Sequence, residues 1–261
     1  MAFPQQQFRE LSLFTGAGGG LLAGKLLGWR CECAVEIDPY AREVLLSRQR
    51  DGLLEKFPIW DDIKSFNGKP WKGKIDIVTG GFPCTDISTA NPKKKGINGK
   101  KSGLWKEMAR VICEVGPEWV FVENVPSLVV RGIDSVLGDL AKMGYDAKWS
   151  VLGGEEVGIP MRRPRMWILA TRNRGRLMRQ GISWETNRKV LAGFARADMQ
   201  IPRPSCTVSA NWANNALGIR GTDGMAHRVD RIRALGNGQT PRLAAIAFLL
   251  LSGLWFERGE K

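Results

Sequence analysis

The chain has 261 residues, 43% of them hydrophobic, and a formal charge of +13; such a composition suits a folded globular protein and excludes a disordered or collagen-like one. No apolar run reaches the roughly 20 residues that a membrane-spanning helix needs. Met1 to Glu10 lacks the basic-then-apolar order of a secretory signal, so a cytoplasmic protein is expected.

Leu11–Phe14 is predicted as a strand, followed by a glycine-rich turn and a helix through Leu26. Cys31–Val35 is a second strand, and Pro39 fits the first turn of a helix running toward Arg50. Ile75–Thr79 is a third strand, Leu104–Val115 a helix, and Trp119–Glu123 a fourth strand. Ile133–Met143 is a helix stopped by Gly144. Ala147–Leu152 and Met166–Ala170 suit later strands. This rhythm predicts an α/β fold: a doubly wound, mainly parallel sheet with helices on both faces. After Thr171 the chain mixes Gly, Pro, Asn and Trp without sustained period. Order returns at Val229, with a short run, then Gly236-Asn237-Gly238, then a helix. Thr240 is the expected N-cap of that helix and Pro241 its first residue. Its apolar residues Leu243, Ile246, Ala247, Leu250 and Leu254 keep helical spacing, and the stretch reads as a buried helix. Three parts are expected: a catalytic and cofactor-binding domain over 1–171, a small irregular region over 172–227, and a C-terminal segment over 228–261 that returns to the first domain.

The charge is unevenly placed. Acidic residues thin out after Glu156, while arginines crowd Arg162 to Arg188 and Arg228 to Arg233. Lys93, Lys94 and Lys95, with Lys100 and Lys101, form a further basic run. A field of that sign favours phosphate polymers. The five cysteines are scattered and there is a single histidine, so neither a disulfide framework nor a metal site is expected.

Phe14-Thr15-Gly16-Ala17-Gly18-Gly19-Gly20 joins a strand to a helix. Glycines there let the backbone turn sharply and approach a ligand closely. The next strand ends in Glu36, about 20 residues on, where a carboxylate can hold both hydroxyls of a ribose. Asp62-Ile63 adds a carboxylate for an adenine amino group and an apolar surface for its ring. Together these favour a nucleoside cofactor, without separating NAD from S-adenosylmethionine. Gly80-Gly81-Phe82-Pro83-Cys84 follows the third strand and places Cys84 at the same edge of the sheet. A lone cysteine is more often a small buried hydrophobe, but this position argues for exposure. Its thiol needs activation, because a free thiol with a pKa of about 8.5 is mostly protonated at neutral pH. The fourth strand ends in Glu123, and a carboxylic acid in a partly dry site can stay protonated near neutrality and donate.

The chain resembles the cytosine-C5 DNA methyltransferases, especially short phage and bacterial members. The matching stretches, in family order, are LSLFTGAGGG, the VEIDPYA containing Glu36, Asp62-Ile63, DIVTGGFPC, SGLW at Ser102–Trp105, FVENVP, RRPR at Arg162–Arg165, and ALGNG at Ala234–Gly238. The resemblance implies an S-adenosylmethionine-dependent methyltransferase fold and a mechanism. Cys84 would attack C6 of a flipped-out cytosine, Glu123 would protonate or hydrogen-bond N3, and C5 would take the methyl group; Arg163 and Arg165 would steady the base and the nucleophile. Covalent addition divides one hard step into two easier ones. It also implies that Phe14, Thr15, Gly16, Ala17, Gly18, Gly19, Glu36, Ile37, Asp62, Ile63, Gly81, Pro83 and Leu104 surround the cofactor. Asn237 would come back beside the first glycine loop. The chain departs from the family at Thr85 and Met161, where glutamine, or glutamine or histidine, is usual; substrate positioning is what these departures touch.

The expected partner is double-stranded DNA, met by a protein acting as a monomer, with or without a cognate restriction nuclease. The basic stretch Thr85–Lys101 is read as a lid that closes over phosphates, with Ser88, Lys93, Lys94 and Lys95 as DNA contacts. Arg172 and Arg174 open the region read as target recognition; Trp184 and Trp212 are assigned to its core. Competing readings are an RNA cytosine-C5 methyltransferase on the same fold, a non-catalytic DNA-binding relative and an NAD-dependent oxidoreductase. Cys84, Glu123 and Arg165 together speak against the non-catalytic relative, and Pro83-Cys84 with Glu123 has no natural role in an oxidoreductase.

Overall fold

A computed structural model describes residues 7–83, 103–157, 159, 161–172 and 228–253. In chain order the elements are β1 (Arg9–Leu13), α1 (Gly19–Leu26), β2 (Arg30–Val35), α2 (Pro39–Arg50), β3 (Ile59–Trp60), β4 (Ile77–Gly80), α3 (Leu104–Val115), β5 (Trp119–Asn124), α4 (Leu128–Arg131), α5 (Ile133–Lys142), β6 (Asp146–Leu152), β7 (Arg165–Thr171), α6 (Arg228–Asn237) and α7 (Pro241–Ser252). The strands form one seven-stranded sheet in the order β3-β2-β1-β4-β5-β7-β6. The first five are parallel. β7 runs antiparallel to β5, and β6 antiparallel to β7. The expected α/β class and mainly parallel sheet are therefore present, with a reversed edge that the residue pattern does not reveal.

Local chemistry sets the element ends. Asp38 is the N-cap of α2, its carboxylate accepting from the backbone N–H of Tyr40 and Ala41, and Pro39 occupies the first helical position. Gly116 ends α3 in the left-handed region at φ 62°, which costs glycine no Cβ clash. Thr240 stands at the N-cap position of α7 ahead of Pro241, but its side chain makes no capping hydrogen bond; the hydroxyl points to Met161 Sδ instead. The sequence reading missed β3, which has two residues, and α4, which has four. It also separated Gly236-Asn237 from the preceding run, whereas α6 extends through both.

Two hydrophobic layers sandwich the sheet. On one face Leu11, Leu13, Val78, Val120, Val122 and Ile168 pack with Met108, Val111 and Ile112 of α3 and Val136 and Leu140 of α5. On the other, Trp119, Phe121 and Trp167 pack with α7. Every residue of α7 from Leu243 to Ser252 is buried, as befits a helix apolar all round. Phe248 lies edge-on to Trp29, with centroids 4.7 Å apart, and also meets Phe8 and Phe121 edge-on. Burial of each such ring contributes about 2 to 3 kcal/mol, so the C-terminal helix is fastened to the first strand and helix. The approach is close at its entry: a Cβ on Gly19 would collide with the Gln239 carbonyl, and one on Gly20 would lie 2.8 Å from Gln239 Oε1.

One core residue is ionisable. Glu10 on β1 is 1% exposed, and Thr79 Oγ1 on β4 donates to its Oε1 at 2.5 Å. Gly24 of α1 lies over the carboxyl group; a Cβ there would be 2.6 Å from Oε2. Burial pushes the Glu10 pKa up to about 7, against the pull of the Thr79 hydrogen bond.

Two predictions follow from this packing. The folded chain keeps a proton on Glu10 that the unfolded chain releases above about pH 4.3. The stability linked to that proton is complete below this pH and is lost as pH rises through about 7. Thermal melts of Glu10→Gln should therefore be flatter between pH 5 and 8, with a gain on the order of 2 to 3 kcal/mol at the upper end; a loss at pH 8 would contradict this. In a paired glycine test, Gly19→Ala should destabilise by roughly 1 to 3 kcal/mol through overpacking on Gln239. Gly138→Ala, in α5 with nothing within 4 Å of the added carbon, should stabilise by about 0.5 to 1 kcal/mol.

Candidate active site at the carboxyl edge of the sheet

Parallel pairing brings the ends of β1, β2, β4 and β5 to one edge. Beyond β1 the chain turns through Phe14 and Gly16, both at positive φ (53° and 58°), and Gly18, the N-cap of α1. Thr15 ties this turn down: its N–H donates to Val35 O at 3.1 Å and its hydroxyl to Ser12 O at 3.0 Å. Glu36, just past β2, grips the same turn. Its Oε2 accepts from Gly16 N at 2.6 Å and its Oε1 from Asp38 N at 2.8 Å. A carboxylate has about four lone-pair positions, so each oxygen retains one. Arg42, from the first turns of α2, donates to the carbonyls of Glu36 and Ile37. Ile37 is thereby held out, 66% exposed.

Part of this edge lines a cavity of about 270 Å³. Of the residues expected around a cofactor, Phe14, Gly16, Ala17, Glu36, Ile37, Gly81, Pro83 and Asn237 line it. Thr15 is buried behind the turn, Gly18 caps α1 and Gly19 abuts Gln239. Asp62, Ile63 and Leu104 are not brought to its wall. Ile63 is buried in the core, and Leu104 packs against that same core. Asp62 opens the loop that follows β3 and accepts from Lys64 N; β3 pairs with β2 at Val35 and Trp60, so that loop starts beside Glu36. The wall also includes Tyr40, Ala41 and Asp230, which sequence reasoning missed. The first two were legible in principle, because a helix that starts after an edge-ending strand presents its first turn there. Asp230 carried no such signal.

Glu123, at the end of β5, closes the cavity on the other side and is 9% exposed. Arg165 Nε lies 2.8 Å from its Oε1. Burial pushes the Glu123 pKa up to about 7, while the Arg165 and Arg163 charges pull it down. Near neutrality the group is thus divided between acid and carboxylate. Gly81 leaves the room it needs: a Cβ there would sit 2.9 Å from Oε2. Asn124 Nδ2 donates to Phe82 O at 3.2 Å, tying the Gly81–Pro83 turn to β5.

The arginines divide. The sequence reading put Arg163 with Arg165 at a reacting base. The structure instead commits its guanidinium to the backbone: Nη2 donates to Gly236 O at 2.5 Å and Gly238 O at 2.8 Å. Arg163 therefore pins the C-terminal end of α6, where Asn237 stands beside the first glycine turn. Arg172 lies at the opposite edge. Thr171 pairs with Trp119 at the start of β5, and the Arg172 guanidinium sits 4.8 Å over the Tyr145 ring. Its distance from the cavity follows from the reversal of β7. Cys84, the residue after cavity-lining Pro83, lies outside the described residues, as do Thr85, Ser88, Lys93, Lys94, Lys95, Arg174, Trp184, Trp212 and the 173–227 region. Among the described residues no group of three or more His, Cys, Asp or Glu could hold a metal ion, and no helix is long and apolar enough to cross a membrane.

Comparison with known proteins gives this edge a context. The type II methyltransferase M2.BsuMI of Bacillus subtilis is 33% identical over 171 residues, covering 62% of this chain and 42% of that protein. M.NgoMIV of Neisseria gonorrhoeae is 30% identical over 172 residues, covering 64% and 53%. The chain thus spans about half the length of these relatives. Among solved structures, the Dnmt2 methyltransferase of S. pombe superposes with a TM-score of 0.51 at 23% identity, over 64% of this chain and 50% of that one, which shows the shared fold. The C-5 cytosine-specific DNA methylase family model matches residues 8–196, and with the sheet order and edge geometry above, the chain belongs to that family.

Proposed function

We propose that the chain transfers a methyl group from S-adenosylmethionine to carbon 5 of cytosine in DNA. The observation that carries this reading is the buried Glu123–Arg165 pair, which lines the same cavity as Glu36 and as Pro83, the residue before Cys84 in the sequence. The cavity fits the cofactor's chemistry. Glu36 keeps lone pairs for ribose hydroxyls, Ile37 offers an exposed apolar surface, and the Asp62 loop begins next to it. When bound, S-adenosylmethionine supplies an electrophilic methyl group on a sulfonium centre.

The residues divide the work as follows. Cys84, as thiolate, adds to C6 of a cytosine swung out of the duplex, an unstacking that costs a few kcal/mol. Glu123, in its protonated form, donates to N3, so the electron pair released by addition gathers at C5. Arg165 holds the Glu123 carboxyl in place and offsets part of the cost of ionising it there. C5 takes the methyl group; solvent water then accepts the C5 proton, the C–H electron pair forms the C5–C6 double bond, and the C6–S bond breaks to release Cys84 as thiolate, while the N3 proton returns to Glu123. The net charge of +13 suits a polyanionic substrate.

The test combines tritiated S-adenosylmethionine, unmethylated bacterial DNA and the full chain. Wild type should place label on DNA as 5-methylcytosine, and Cys84→Ser should place none. Label on transfer RNA alone would move the substrate class. Because Glu123 must carry a proton, turnover should fall as pH rises through about 7. Glu123→Gln should lower kcat by about 10² to 10⁴ and remove that descending limb; a limb that persists in Glu123→Gln would assign it to another group.

A further inference from the structure

The loop over residues 61–68 is held at both ends. At its start, Glu36 N donates to Trp60 O at 2.9 Å. At its far side stands Arg110, in the middle of α3. Arg110 Nη2 donates to Ile63 O at 2.6 Å and Nη1 to Phe66 O at 3.0 Å. Two carboxylates on its own helix orient the guanidinium: Glu107 at Nε and Glu114 at Nη1, both at 2.9 Å. Glu114 also accepts from Gly68 N at 2.8 Å. A planar fork held by two carboxylates has fixed donor directions, and here two of the remaining three meet loop carbonyls.

The helix behind this fork is a firm anchor. Met108, Val111, Ile112 and Val115 are fully buried, and Trp105 Nε1 donates to Asp139 of α5 at 3.0 Å. Trp105 also packs on Phe82, with ring centroids 5.4 Å apart, so α3 touches both the Asp62 loop and the turn that leads to Cys84. Ile63 and Phe66 bury their side chains against α3, but the exposed part of the loop is held by little besides hydrogen bonds. Asp62 spends one oxygen on Lys64 N, and Asp62 O closes a tight turn to Ser65 and Phe66.

We propose that Arg110 is a positioning residue for the purine end of the cofactor: by fixing the carbonyls of Ile63 and Phe66 it sets where the Asp62 carboxylate meets the adenosine. The inference rests on the cofactor reading above. Arg110 touches no reacting atom; its effect is on affinity for the nucleoside, and kcat at saturating cofactor is left alone.

Calorimetric titration with S-adenosylhomocysteine tests it, well below the melting temperature of each variant. Arg110→Met should weaken binding by roughly tenfold. Arg110→Lys should recover part of the loss, since an ammonium can reach one carbonyl but not both in the fork geometry. The same factor should appear with 5′-methylthioadenosine, which lacks the amino-acid end. Gly68→Ala is a second variant that leaves the charges in place. Its Cβ would meet Glu114 Cβ at 3.0 Å and Val115 Cγ2 at 3.1 Å, pushing the loop off α3 and weakening both ligands in the same way. A folded Arg110→Met with wild-type affinity, or a loss confined to S-adenosylhomocysteine, overturns the proposal. If Arg110→Met does not fold, wild-type affinity in Gly68→Ala overturns it. Wild-type protein that binds neither ligand sinks the cofactor reading itself.

Discussion

The ion pair between Glu123 and Arg165 exists because β7 runs backwards. β5 ends at the carboxyl edge of the sheet, and an antiparallel neighbour begins there, with Asn124 opposite Met166. Arg165, the first residue of β7, is therefore delivered to Glu123, the penultimate residue of β5. A parallel β7 would have placed Arg165 at the far edge, where Arg172 now stands. The pair is unequal by design of its surroundings. Taking a carboxylate out of water costs several kcal/mol, and one arginine offsets only part of that. The residue is an acid poised near neutrality rather than a settled carboxylate. Without Arg165 the desolvation would act unopposed by its nearest charge, and the carboxyl would hold its proton more tightly still.

Around that pair the edge is assembled by backbone hydrogen bonds more than by side-chain packing. Glu36 takes two backbone N–H groups, Arg42 two carbonyls, Arg163 two and Arg110 two. Each clamp joins two segments: the glycine turn to β2, the β2 end to α2, the end of α6 to the chain before β7, and the Asp62 loop to α3, where burial of Ile63 and Phe66 adds to it. Loops at the edge of a sheet bury little apolar surface, so their geometry depends on such fixed donors and acceptors. The buried helix α7 supplies the complementary force. Its docking on Trp29 and Phe8 holds the C-terminal segment against α1, and the bare Cα of Gly19 allows the last approach to Gln239.

How far the sequence disclosed this can be followed residue by residue. α3 was predicted with its observed bounds because its apolar spacing is helical and Gly116 stops it. Asp38-Pro39 marked the start of α2, and the glycines after Phe14 marked the turn. Direction was not legible for β7: Met166 to Ala170 is buried on both faces, and a continuous apolar run reads the same in either sense. β3 and α4 are too short to show a period. The two roles of Arg163 and Arg165 were hidden by their adjacency, since nothing in Arg-Arg-Pro-Arg says which side chain meets a carboxylate and which meets carbonyls. Arg110 and Glu10 were not singled out at all. The loop carbonyls that the first holds are more than 40 residues away, and the second sits in a strand whose other residues gave no cause to expect a buried acid.

The central claim is that a thiol at position 84 adds to cytosine while Glu123 supplies a proton from this edge. A duplex carrying 5-fluoro-2′-deoxycytidine tests it most directly, because fluorine cannot leave C5 as a proton does and the covalent adduct persists. With S-adenosylmethionine present, the account predicts a stable protein–DNA species whose modified peptide, read by mass spectrometry, carries the nucleotide on Cys84, formed more slowly in Glu123→Gln. Methylation of ordinary DNA with no trapped species, or an adduct mapped to another cysteine, would contradict it.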